Sequence, residues 1–170
     1  APLYSLIIVN ERALYSREMI YAVDRYMETI IGKNAVRCFV FQLTALVTGL
    51  WLTGYLGWPW NAVLILKLVL LSLLMILLSV VHFGIQPKIE RLLSQVKGDP
   101  LPGEIVSQIK PLRLFRKRLA ATCLFFMIVI VLLGLQIFAR FPLVANLVIL
   151  LLTGFFSYRA FQKPLRLGWW

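Results

Sequence analysis

Four long apolar runs, almost free of charge, divide this chain, and its cations gather in the segments around them. Sixteen of the 18 Lys and Arg residues lie before the first run, between the second and third, or after the fourth. A chain of 170 residues that is 61% hydrophobic, with a mean hydropathy of +0.85, carries more apolar surface than a soluble core of this size can bury. About 20 apolar residues in helical form cross a hydrocarbon layer of roughly 30 Å, so each run reads as a transmembrane helix. The fold class expected is all-α: an antiparallel four-helix transmembrane bundle with an N-terminal amphipathic helix.

The spans are expected at about 36–57, 62–86, 119–139 and 143–161, with a cytoplasmic loop at 87–118. Gly57-Trp58-Pro59-Trp60-Asn61 and Arg140-Phe141-Pro142 read as the two tight turns. Tryptophan pairs suit a headgroup boundary. Those turns hold only Arg140, so the positive-inside rule puts both termini and the 87–118 loop in the cytoplasm. A net charge of +11 points to nucleic acid in a soluble protein, but here the cations flank membrane spans. Anionic lipid headgroups are then the expected partner, with no nucleic acid, and Arg113, Arg116, Lys117 and Arg118 are the expected contacts.

Residues 1–35 form an N-terminal segment ahead of the 36–170 membrane domain. The piece Leu3 to Val9 is too short to span and has no basic leader. It reads either as the tail of a span or as a membrane-dipping end. Further on, Met19, Ile20, Val23, Tyr26, Met27, Ile30 and Ile31 share one helical face, and Arg17, Glu18, Asp24, Arg25 and Glu28 the other. That pattern predicts a cytoplasmic amphipathic helix that lies along the membrane surface or on a partner, or else covers the cytoplasmic end of the bundle.

Within the spans, Ala45, Gly49, Thr53 and Gly57 recur every four residues as a small-residue stripe for helix packing. Asn146, Thr153 and Ser157 mark the inward face of the fourth span, and Ser72, Ser79, His82 and Gln86 that of the second. Lys67 has no Asp or Glu in any span to pair with. It reads as reaching outward to headgroups or as holding an anion or propionate inside the bundle. His82 is the only histidine, with Met127 and Cys123 at similar depth, a set able to hold haem iron or copper. The bland reading of His82 is a hydrogen-bonded core residue. No resident metal or cofactor is expected, since a single histidine is a poor ligand set. The chain has no Gly-rich phosphate loop and no CxxC, and its thiols, Cys38 and Cys123, fall near the cytoplasmic ends of spans, where they stay reduced.

The stretch from Thr48-Gly49 through Trp60-Asn61 and Leu64-Ile65-Leu66-Lys67-Leu68-Val69-Leu70 to Gln86-Pro87-Lys88-Ile89 resembles the CopD-type copper-resistance membrane family. The shared pattern is a Gly-ended helix, a turn, and a helix with an early Lys and a closing Pro-basic pair. The related HemJ-type protoporphyrinogen oxidases also carry such a Lys. The resemblance implies a bacterial inner-membrane bundle with copper import or haem-linked chemistry, although this chain lacks the histidine and methionine ligands of a copper path. From the residues themselves, the leading expectation is non-catalytic: an accessory or scaffold subunit of a larger respiratory or photosynthetic membrane complex, with other membrane subunits as partners. A CopD-type copper or small-solute transporter and a haem protein using His82 are the alternatives.

Overall fold

A computed structural model describes residues 2–15, 20–55, 57, 62–96, 101–139 and 142–162. The described residues are helical, with no strand among them. Helix α1 (Pro2–Tyr15) precedes α2 (Tyr21–Tyr55), α3 (Ala62–Ser79), a π-helical turn (Val80–Ile85), α4 (Gln86–Ser94), α5 (Gly103–Ala139) and α6 (Leu143–Gln162). Four stretches are long and apolar enough to cross a membrane: α2, α3 continued through α4, α5 and α6. The protein is an all-α membrane bundle whose four long helices alternate in direction.

Length separates these helices into two kinds. At 1.5 Å per residue, α6 is about 30 Å long, the thickness of the hydrocarbon layer. By the same measure, α2, α3–α4 and α5 reach about 50 Å or more. Their extra length projects on one side, where α4 and the first turns of α2 and α5 pack beyond the end of α6. Two apolar cores follow from this. One lies within the bundle and includes Ile7, Ile31, Leu71, Leu74, Leu78 and Ile130. The other, made of Ile85, Ile89, Leu93, Val96, Leu101 and Ile109, lies in the projecting layer.

Several boundaries differ from the sequence expectation. The amphipathic segment is no separate helix: from Tyr21 it runs unbroken into the first span as α2. Its two faces do not divide inside from outside as the pattern suggests. Ile20, Val23 and Tyr26 are exposed, Tyr26 to 68%, while Asp24 and Glu28 are buried beside Met27 and Ile31. Residues 16–19 lie outside the described residues, as do Trp58, Trp60, Arg140, Lys163, Arg166 and the Trp169-Trp170 pair. The expected 87–118 loop is mostly helix, since α4 continues the second span and α5 begins at Gly103. The short apolar N-terminus is the start of α1, which packs against α5 and α2 with Ile7 in the bundle core.

The π-helical turn has a covalent cause. Pro87 has no N–H to give the carbonyl four residues back, and its ring crowds that carbonyl. The helix widens just before it, and the Gln86 N–H bonds the Val81 carbonyl, five residues back. The turn carries the chain on as α4 with Gln86, Ile89 and Leu93 facing inward. At the other end of the bundle, Gly57 adopts φ +59°, a left-handed conformation that glycine accepts without steric cost, and ends the α2 segment.

Candidate functional site

The most unusual feature of the bundle is a knot of buried charge where it meets the projecting layer. Glu28 of α2 is only 3% exposed. Its two carboxylate oxygens accept a fork from Arg116 of α5, at 2.6 Å from Nη1 and 3.0 Å from Nη2. Arg113, one turn earlier on α5, donates its Nε to Glu28 at 3.0 Å and places Nη1 3.1 Å from the Asp24 carboxylate. Gln86 closes the network: its Oε1 accepts from Arg116 at 2.6 Å, and its amide nitrogen lies 3.2 Å from Glu28 and 3.1 Å from Glu90. From α1, Asn10 accepts the Arg116 Nε at 2.7 Å.

A second pair sits beside the first. Lys117 Nζ lies 2.6 Å from Glu11 Oε1, with both side chains 1% exposed. The same ammonium stands 5.5 Å from the Tyr15 ring centroid. Burial, and then the Glu11 carboxylate, push the Tyr15 phenol above its ordinary range, with Arg118 pulling the other way. The ring therefore meets the ammonium as a neutral π-face. Buried charges of this kind persist only when paired, because each costs several kcal/mol to desolvate alone. Three carboxylates, Glu11, Asp24 and Glu28, balance Arg113, Arg116 and Lys117.

This geometry corrects the expected headgroup contacts. Arg113 and Arg116 are 2% exposed and Lys117 1%, so none of the three faces lipid. The α2 and α1 carboxylates, not phosphates, neutralise them. Arg118 alone of the four keeps partial exposure, with its guanidinium 5.1 Å from the Phe161 ring centroid in the last turn of α6. That contact fixes the height of the network. Arg116 and Arg113 lie about 3–8 Å back toward the N-terminus of α5, at 1.5 Å per residue, just past the end of α6.

Two spaces adjoin the network. A cleft of about 300 Å³ opens between α2 and α4, lined by Tyr21, Arg25, Glu28, Thr29, Glu90, Leu93 and Ser94. On the bundle side, a water-sized void of about 30 Å³ is bordered by Asn10 and Arg116 above and by Ile31, Ala35, Leu78, Val81, Leu119, Ala120 and Cys123.

The other sequence candidates are scattered. Gln86 joins the network, but Ser72 is exposed and the Ser79 hydroxyl donates to the Met75 backbone carbonyl of its own helix at 2.8 Å. A hydroxyl satisfied in this way needs no inward face, and a leucine row (Leu64, Leu71, Leu74, Leu78) faces the core instead. His82 sits half-buried in the π-helical turn, edge-on to Phe83, and its Nδ1 has no hydrogen-bond partner among the described residues. Cys123 is buried and Met127 partly buried in the bundle core. Among the described residues no group of three or more His, Cys, Asp or Glu side chains converges as a metal site. Asn146 and Ser157 are buried on α6 and Thr153 half-buried.

The expected α2 stripe makes no continuous helix contact. Ala45 and Gly57 are exposed, and a Cβ added at Gly49 meets nothing within 4 Å. Only Thr53 is buried, its hydroxyl donating to the Gly49 carbonyl at 2.8 Å. The small residues that bring helices together are Ala35, Ala120, Ala121 and Ala160, all within the bundle core.

Lys67 reaches across to α5, where its Nζ lies 3.4 Å from an ideal Cβ placed on Gly134. The missing side chain there makes the room. Gly134→Leu is expected to displace the ammonium and cost about 1–3 kcal/mol, as overpacking does. Gly134→Ala is expected to be close to neutral, because its Cβ meets only the flexible tip of Lys67. Thermal unfolding of both variants in detergent tests the ranking.

Sequence reasoning missed Asn10, Glu11, Asp24 and Glu28 as partners of the α5 cations. The available signal was matched spacing: Asp24 and Glu28 lie four apart, and Arg113 and Arg116 three apart, so each pair shares one helix face. Comparison with protein-family models, curated proteins and solved structures found no match for this chain.

Proposed function

We propose that this chain is a non-catalytic scaffold subunit of a larger membrane assembly. It would sit in a bacterial inner membrane with both termini on the cytoplasmic side. The observation carrying this reading is the contrast between the two halves of α2. In the projecting layer, α2 is tied by Asp24 and Glu28 to α5 and by Glu28 to Gln86 at the start of α4. In the membrane half, from 36 to 55, only Cys38, Gln42 and Thr53 are buried. Val40, Phe41, Val47, Leu50, Trp51, Leu52 and Tyr55 are exposed, and Gly49 and Gly54 have open space before them. A helix anchored at one end, with a largely uncovered membrane surface containing glycines, suits lateral packing against a helix of another subunit.

The polar network supports the same reading. Its arginines, carboxylates and Gln86 are engaged with one another, an arrangement that fixes geometry. The cytoplasmic orientation rests on the distribution of Lys and Arg, and the bacterial setting on the resemblance of residues 48–89.

A photoreactive residue replacing Val47 or Trp51 tests the contact in native membranes. The expected result is one reproducible protein adduct from these positions and none from the opposite, Cys38-bearing face. Lipid adducts alone from every position would contradict the proposal.

A further inference from the structure

With Arg113, Arg116 and Lys117 sealed inside, the charge that faces outward is carried by other residues. Lys33 and Arg37 on α2 and Arg159 on α6 are exposed, and Arg118 on α5 is half-buried. Three observations put these four at one height. The small void joins Ile31 and Ala35 of α2 to Leu119, Ala120 and Cys123 of α5, which levels Lys33 and Arg37 with the turn after Arg118. The Arg118–Phe161 contact levels Arg118 with the last turn of α6, two residues beyond Arg159. Ala35, Ala120 and Ala160, each one or two residues from one of these cations, belong to one packed core.

Among the described residues no carboxylate offsets them at this height. After Glu28, α2 has no Asp or Glu; after Glu104, α5 has none; α6 has none. The nearest acidic side chains, Glu11, Asp24 and Glu28, are buried and already paired with the α5 cations. The cations also sit against apolar surface: Arg118 lies over Phe161 and Arg159 over Phe155, at 5.8 Å from the latter centroid. A guanidinium above an aromatic ring at the end of a membrane-length helix is placed at the depth of lipid phosphates.

We propose that Lys33, Arg37, Arg118 and Arg159 form a collar that binds anionic phospholipid headgroups and sets the depth of the bundle. The collar holds the hydrocarbon on the α6 side of the buried network, so that the network lies just outside it. The partner is a lipid because the cations come from three different helices at one level, and that level coincides with the end of α6.

The test uses the full chain in phosphatidylcholine vesicles with trace spin-labelled phosphatidylglycerol or spin-labelled phosphatidylcholine, read by electron paramagnetic resonance. The motionally restricted fraction is expected to favour phosphatidylglycerol by about threefold or more, the scale of a few interfacial cations. The preference is expected to fall to near unity in the variant Lys33→Gln, Arg37→Gln, Arg118→Gln, Arg159→Gln. It is expected to survive Arg91→Gln with Lys110→Gln, which removes exposed cations of the projecting layer. The unsubstituted protein in about 1 M salt, where the screening length is about 3 Å, provides a check free of folding effects and is expected to lose most of the preference. Equal association of both lipids with the unsubstituted protein overturns the proposal. So does a preference that persists in the fourfold variant, or one abolished by the Arg91 and Lys110 changes.

Discussion

Glu28→Gln is expected to destabilise the protein by about 3–5 kcal/mol, the range for removing one partner of a buried ion pair. The substitution keeps the size of the side chain and removes its charge. Two guanidinium groups then lose their shared counterion, since Glu28 accepts from both Arg113 and Arg116. The new amide also turns donors toward arginine donors, so one of the fork's hydrogen bonds becomes a repulsive contact. Asp24 reaches only Arg113 and cannot replace Glu28 at Arg116. Reversible unfolding in mixed micelles measures the loss. The companion variant Glu28→Leu with Arg116→Leu is expected to recover only part of it, because Arg113 still lacks an acceptor and buried Gln86 and Asn10 lose their Arg116 donors. A loss below about 0.5 kcal/mol for Glu28→Gln, the size of an ordinary surface change, would mean that the network is solvated.

Ile89→Ala is expected to cost about 2–5 kcal/mol, the range for deleting a buried Ile side chain to Ala. Ile89 is fully buried and lies in the second core, with Ile85, Leu93, Val96, Leu101 and Ile109. That core stands in the projecting layer, where unfolding exposes apolar surface to water and the hydrophobic term applies in full. Val69→Ala on α3 provides the contrast. Val69 is exposed within the span, where the surrounding lipid is as apolar as the side chain. Its loss is expected to stay within about 0.5 kcal/mol, as for surface changes generally. The same unfolding assay reads both. Equal costs would contradict the division of the protein into a membrane bundle and a water-facing layer.

The spans were legible in the sequence because the bilayer imposes a simple rule: long apolar runs must be helices that satisfy their own backbone. The inward face of each helix was harder to read. On α2 the pattern separates an apolar face from a charged one, as in an amphipathic helix lying on a surface. Val23 and Tyr26 face outward instead, because Asp24 and Glu28 find their counterions inside and take the buried face. A single sequence does not show that residues 24–28 meet 113–116, some 85 positions away. The register of two helices decides it, and that depends on the whole bundle. The Ala45–Gly49–Thr53 stripe leaves its partner open for a related reason. Close spacing of small residues permits an approach but does not say which helix makes it, and within this chain none does at Gly49. The proline effect was readable in part. Pro87 marked a change of element, and the π-helical turn that delivers Gln86 to Arg116 appeared only in the fold.

The scaffold reading stands or falls on whether the protein occupies a defined assembly. The direct measurement is native electrophoresis of the tagged protein from membranes solubilised in a mild detergent, with the components of its band identified and quantified by mass spectrometry. The account predicts a discrete species well above the size of one 19.5 kDa chain, holding the same membrane partners in fixed ratio across preparations. Migration as a monomer, with no other protein at comparable amount, would contradict it.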